Sequence, residues 1–301
     1  MHEPLIINGI QQLTDDLPIV TQGDGDHYIG YDDIGESYSG NRKYALAERD
    51  ALFAAEIAKQ TGDGICLDLG CGDGCLTVPM AQFGVRVIAG DISNNMIQIL
   101  QRRAEKNNIS LDTVMLCRMN ALHIPLAGGS VRSAVCNSVL HLISRPEKVI
   151  SEIHRVLEPG GAFICRDDLP GRIDVTKQNL EYRQIADFLF SHYWQYLNER
   201  GITPKRYSWK YDRDAICAPL FSSKEEFILP YQKESSITFA EGFLARFSGR
   251  GFSDQVDVPP ALHNAALEDT LEVVCQSFGN GFGDVETYWA EGDLKITIYR
   301  K

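Results

Sequence analysis

The sequence predicts an α/β protein with a doubly wound, mostly parallel sheet, a helical insertion and a C-terminal antiparallel hairpin. Three observations carry that expectation. Short apolar and β-branched runs alternate with helical segments from residue 61 to 168. The runs are nearly continuous in apolar residues, as strands buried on both faces require. Their spacing leaves room for a helix between each pair, which parallel strands need in order to cross over.

The elements follow in order. Residues 42–60 place Leu46, Leu52, Phe53 and Ile57 among several alanines, an amphipathic helix stopped by Thr61-Gly62-Asp63-Gly64. Ile65–Leu69 reads as a buried strand and Cys75–Phe83 as a helix. Val85–Ala89 is the second strand, and Ser93–Asn107 a helix with Ser93 or Asn94 as its N-cap. Val114–Arg118, Val131–Cys136 and Ala162–Arg166 supply three more strands. A helix over Arg145–Leu157 precedes the last of these, and Glu158-Pro159-Gly160-Gly161 reads as a turn. After Asp168 the rhythm changes to aromatic-rich helices over 179–199, 238–247 and 259–278, with an extended stretch over 227–237. Asp284–Ala290 and Asp293–Arg300 alternate polar and apolar around Glu291-Gly292, which suggests the hairpin. The expected division is an N-terminal helical lid (1–60), a sheet core (61–168), a mainly helical substrate cap (169–280) and the hairpin (281–301) completing the sheet.

Composition narrows the function classes. The chain has 301 residues, 44% hydrophobic and 23% charged, the balance of an ordinary globular protein. Its net charge of −12, without a basic stripe, argues against a nucleic-acid partner. No apolar stretch approaches the ~20 residues of a membrane span, and the N-terminus lacks a signal-peptide pattern, so no membrane insertion is expected. Eight cysteines lie mostly within apolar runs, which suits a reducing cytoplasmic location. Cys71 and Cys75 have no second Cys/His pair at metal spacing, and no metal is expected.

The strongest chemical signal is Asp68-Leu69-Gly70-Cys71-Gly72-Asp73-Gly74, between a strand and a helix. Glycines there let backbone approach a ligand, in the crevice beyond the strand ends. The alternative is an ordinary strand-to-helix turn. The dinucleotide spacing Gly-x-Gly-x-x-Gly fails because Cys75 stands at its last position. Asp91 ends the second strand 21 residues after Gly70, where an acid can accept both hydroxyls of a ribose.

These motifs resemble the class I S-adenosylmethionine-dependent methyltransferases, in particular the small-molecule group that includes the ubiquinone and menaquinone enzymes. The resemblance covers residues 64–168 and implies a Rossmann-like core. It implies that Asp68, Gly70, Cys71, Gly72 and Gly74 face the amino-acid portion of the cofactor. Gly90-Asp91-Ile92-Ser93-Asn94-Asn95-Met96 matches the ribose segment, with Met96 against the adenine. Asn120 and Ala121 fall in the adenine-edge segment, where the family usually has Asp; the carbonyl oxygen of Asn120 could still take the exocyclic amine. Cys136-Asn137-Ser138-Val139-Leu140-His141 resembles the segment under the methionine portion, and Tyr38 and Arg42 of the lid could contact its carboxylate. The implied cofactor is S-adenosyl-L-methionine, leaving as S-adenosyl-L-homocysteine.

For chemistry, His141 is the best-placed candidate base; its alternative is a histidine that only shapes the pocket. Asp167 and Asp168 also face the crevice, but Asn137 stands where a third metal-binding carboxylate would be needed. The Asn/Asp-Pro-Pro-Tyr segment of amino methyltransferases is absent. The expected function is methyl transfer to a small organic acceptor at carbon, nitrogen or oxygen. The alternatives are an inactive cofactor-binding regulatory module and a protein methyltransferase.

Overall fold

The computed structural model describes residues 31, 35, 47–110, 112–170, 179–204 and 211–301. Tyr38 and Arg42, and most of the lid expected over 1–60, lie outside the described residues.

The sheet core begins with α1 (Ala47–Thr61) and β1 (Ile65–Leu69), followed by α2 (Thr77–Gln82) and β2 (Arg86–Asp91). Next come α3 (Asn94–Lys106), β3 (Val114–Arg118), β4 (Val131–Val135), α4 (Pro146–Val156) and β5 (Leu157–Pro170). Ser93 caps α3: its hydroxyl accepts from the Met96 N–H at 3.2 Å, and Arg103 and Lys106 favour the opposite, negative end of the dipole. Pro146 opens α4, where its missing N–H has no intrahelical partner to lose.

The mixed α/β sheet is mostly parallel, as expected. Its order is β3-β2-β1-β4-β5-β8-β6, where β6 is Ser223–Leu229 and β8 is Glu286–Arg300. β1 pairs in parallel with both β2 and β4, so the winding reverses between β1 and β4 and a crevice opens beyond their C-terminal ends. Successive strand residues serve opposite faces. Cys66 and Ile164 join the layer under α1, α2 and α3, whereas Leu67, Leu69 and Phe163 join the layer under α4.

Two local expectations change. The Glu158–Gly161 turn is instead a bulge inside β5: Val131 opposes Leu157 and Ser133 opposes Ala162. Gly160 N–H there donates to the Lys301 carbonyl at 3.1 Å, so the bulge is held by the chain end. The terminal hairpin is instead one continuous strand. At Glu291, where the turn was expected, β8 pairs with Pro170 of β5 on one edge and Lys233 of β7 (Lys233–Thr238) on the other. Folding back would forfeit pairing on both sides. The extended stretch expected over 227–237 falls on two strands, Ser223–Leu229 and Lys233–Thr238. β6 and β7 follow one another along the same edge of β8, and Leu229 to Lys233 spans Leu294 to Glu291, a one-residue slip across Pro230, which cannot donate to a ladder.

The rest of the insertion has its own apolar core. α5 (Leu180–Asn198) and α6 (Pro260–Phe278) pack together around Tyr193, Phe239 and Phe247. Most of the aromatic group of residues 188–196 is therefore packing: Tyr193 and Phe247 meet edge-on at 4.8 Å, and the Tyr193 hydroxyl bonds His263 Nδ1 at 2.7 Å. Among the described residues no helix is long and apolar enough to cross a membrane.

Candidate active site

The glycine loop leaves β1 and turns back to β2. Gly70 and Cys71 both donate to the Gly90 carbonyl, at 2.7 and 3.0 Å. Gly70 has φ +73°, and a Cβ there would stand 2.2 Å from Val139 Cγ2, so only glycine fits. Asp91 ties the loop from below. Its Oδ2 accepts from Gly72 N–H and its Oδ1 from Ser93 N–H, each at 2.9 Å. One carboxylate thus fixes both the loop and the cap of α3.

Around this loop lies a cleft that opens to solvent. It brings together Asp68, Gly70, Cys71, Gly72, Asp91, Ile92, Met96, Asn120, Ala121 and Asn137, all expected from sequence. Gly74 is not in the lining. With φ +82° and a Cβ position 2.1 Å from Leu100 Cδ1, it instead lets α3 approach the loop. Reading the sequence missed Tyr31, Val139, Leu142 and Ile143, which also line the cleft. Val139 and Leu142 follow β4 in a segment whose position was legible, but no spacing rule aims their side chains.

Asp68 is buried and accepts from the Thr77 hydroxyl at 2.6 Å. Burial pushes its carboxyl up to about 7, against the Thr77 hydrogen bond and with nearby Asp91 and Asp50 adding repulsion. Because the folded state holds this proton more tightly than the unfolded chain, the stabilisation is full below about pH 4 and is lost as pH rises towards 7. Relative to Asp68→Asn, the ligand-free wild type is expected to lose of order 4 kcal/mol across that window, at about 1.4 kcal/mol per pH unit. Urea midpoints of the two proteins at pH 4, 5.5 and 7 measure it; parallel pH curves would refute it.

Asn120 lies in the cleft with part of its hydrogen bonding already made within the chain. Its Oδ1 accepts from Leu122 N–H at 2.9 Å, so the carbonyl oxygen braces the chain's own turn. The amide Nδ2 is buried and, among the described residues, has no partner.

Asn137 and Ser138 line the first cleft and also a second, polar cavity. Ser138 holds φ +58°, a left-handed conformation costly for a residue with a Cβ. His141 lies in the second cavity with Arg166, Asp167, Asp168, Tyr211 and Arg213. Burial holds its imidazole below the ordinary histidine value, so it is neutral and basic at neutral pH. The two acids already have cations. Asp167 is gripped by Arg213 through two bonds of 3.1 and 2.6 Å, and Asp168 faces Arg49 at 3.2 Å and Arg166 at 3.1 Å. Among the described residues no group of three or more His, Cys, Asp or Glu is placed to hold a metal. Cys71 and Cys136, which line the two cavities, are poor nucleophiles because burial raises their thiols.

A strand order that reverses beside a glycine loop, with an acid at the next strand end, is the arrangement of a nucleoside-binding α/β enzyme. Residues 67–165 match the family described as a methyltransferase domain. The chain is similar to the demethylmenaquinone methyltransferase of Symbiobacterium thermophilum, 32% identical over 55% of this chain and 64% of that one. It is similar also to a thiol S-methyltransferase of Homo sapiens, 29% identical over 56% of this chain and 67% of that one. Among solved structures, the YcgJ protein of Bacillus subtilis aligns over 84% of this chain and 99% of its own, with a TM-score of 0.49 and 15% identity. The chain spans 64% of the first of the curated relatives it matches and about a third of the next two.

Proposed function

We infer that the protein is an S-adenosylmethionine-dependent methyltransferase acting on a small organic acceptor in the cytoplasm, without nucleic acid as substrate. One observation carries this reading: the glycine loop, Asp91 and Asn120 line one cleft, and that cleft adjoins a second, polar cavity at Asn137 and Ser138. The eight free cysteines and the net charge of −12 favour the location and the choice of acceptor.

The residues fit the cofactor. Gly72 offers open space for a ligand to approach its backbone. A carboxylate has roughly four acceptor positions, so bracing the loop does not exhaust Asp91 as a partner for ribose hydroxyls. Met96, Ile92 and Leu142 supply apolar surface for a flat base. Asp68, ionised above about pH 7, would neutralise a cationic amino-acid portion. Bound there, S-adenosylmethionine supplies an electrophilic methyl group on a sulfonium.

The chain's own contribution is alignment and proton handling. Asn137 and Ser138 form the wall common to both cavities, so an acceptor in the second cavity is held facing the first. His141, neutral at physiological pH, takes the proton that an O–H or N–H acceptor gives up. The Arg213–Asp167 pair fixes one side of the acceptor cavity.

Incubating the protein with S-adenosylmethionine and a metabolite extract is expected to release S-adenosylhomocysteine. Strong cofactor binding with no release over any extract would instead favour the inactive module. Once an acceptor is found, His141→Gln is expected to lower kcat by about 100-fold or more at unchanged cofactor affinity. The same variant should lose the acid limb of the pH–rate profile, which lies below the ordinary histidine value; an unchanged limb would assign His141 a shaping role.

A further inference from the structure

We propose that the acceptor is a small organic cation, a protonated amine, received by the exposed carboxylate edges of Asp167 and Asp168 in the second cavity. The cavity itself marks the place, because it shares the wall of Asn137 and Ser138 with the cofactor cleft. By formal charge its acids are balanced: Arg213 holds Asp167, while Arg49 and Arg166 hold Asp168. What a ligand meets is not balanced. The side chains of Asp167 and Asp168 are 42% and 40% exposed, against 18% for Arg213, 6% for Arg49 and 3% for Arg166. The guanidiniums thus stand behind the carboxylates, and Arg166 is further occupied by the buried Asp50. As successive residues of β5, Asp167 and Asp168 face opposite sides of the sheet and bracket the cavity. Both keep acceptor capacity. Arg213 donates once to each Asp167 oxygen, and Arg49 and Arg166 both make their closest approach to Asp168 at Oδ1, which leaves Oδ2 the freer. An ammonium group brings three donors and a positive charge to this surface, whereas an anion would face two carboxylates with their cations set back. The other titratable groups described in the lining are uncharged at neutral pH. Burial lowers the His141 imidazole, raises the Cys136 and Cys165 thiols and pushes the Tyr211 hydroxyl up to about 12. The net charge of −12 adds a long-range attraction for cations. The inference rests on the methyltransferase reading above and names its acceptor class.

The test uses the full chain with S-adenosylmethionine and a metabolite extract divided at neutral pH into four fractions: retained by a cation exchanger, retained by an anion exchanger, retained by neither, and soluble in organic solvent. S-adenosylhomocysteine release is followed over each, and the cation-exchanger fraction is expected to support most of it. Against that fraction, Asp167→Asn and Asp168→Asn should each raise the amount needed for half-maximal release by about tenfold or more, with the maximal rate and the affinity for S-adenosylhomocysteine little changed. Each variant keeps an oxygen for its guanidinium partners, and thermal unfolding checks that the wall survives. Release carried by the anionic, neutral or organic fraction, or unchanged half-saturation in both variants, overturns the inference and leaves the methyltransferase reading standing. Strong cofactor binding with release over no fraction overturns both.

Discussion

Asp91→Ala is expected to weaken S-adenosylhomocysteine binding by about 100-fold or more while the protein stays folded. Two effects add. The carboxylate itself is lost as an acceptor for ribose hydroxyls, and hydrogen bonds to an ionised group contribute about 1.5–3 kcal/mol each. The loop is also released, because Gly72 and Ser93 lose the acceptor at 2.9 Å that holds both. These amides lie at the cleft, where water can replace the carboxylate, so the cost to the fold is of order 1–2 kcal/mol. Asp91→Asn, which keeps one acceptor, should fall between wild type and alanine. Calorimetry on the three proteins checks this, and wild-type affinity in Asp91→Ala would remove the ribose assignment.

The largest expected loss of stability is at Arg166. Its side chain and that of Asp50 are each 3% exposed, and Nη1 meets Oδ1 at 2.7 Å. The guanidinium also reaches Asp168 at 3.1 Å and lies 5.3 Å from the centre of the Phe53 ring. This pair pins α1 to β5 at the rim of the second cavity. Arg166→Ala would break a buried ion pair by removing one partner, which costs about 3–5 kcal/mol. Asp50→Leu combined with Arg166→Met should recover much of that loss, since a packed apolar pair avoids the desolvation penalty of two buried charges. Denaturant unfolding of the single and double variants measures both. A loss below about 1 kcal/mol for Arg166→Ala would mean that the pair behaves like an exposed one.

How much of this was legible depends on how far each residue's partner lies along the chain. β1, β3 and the cap at Ser93 could be read directly, because an apolar run flanked by turn residues and a serine before a helix are local signals. The ten expected residues that gather in the cleft come from segments that each follow a strand of the parallel sheet, so strand order alone carries them to one rim. Gly74 shows the limit: its motif position was right, but its neighbour is Leu100, and its role is packing.

The sequence by itself determined the sheet class, the glycine loop, the acid at the end of β2 and the cofactor class they imply, since each depends on residues adjacent in the chain or one strand away. Tertiary structure alone decided that β8 runs straight through Glu291-Gly292, because its partners Pro170 and Lys233 lie over 50 residues earlier. It also decided that Asp167 faces Arg213, 46 residues on, and that Asn120 turns its side-chain oxygen onto Leu122 N–H. The physical reason is common to all three. A backbone or side-chain group takes whichever complementary partner the packed fold brings within about 3 Å, and composition and spacing do not encode which one that will be.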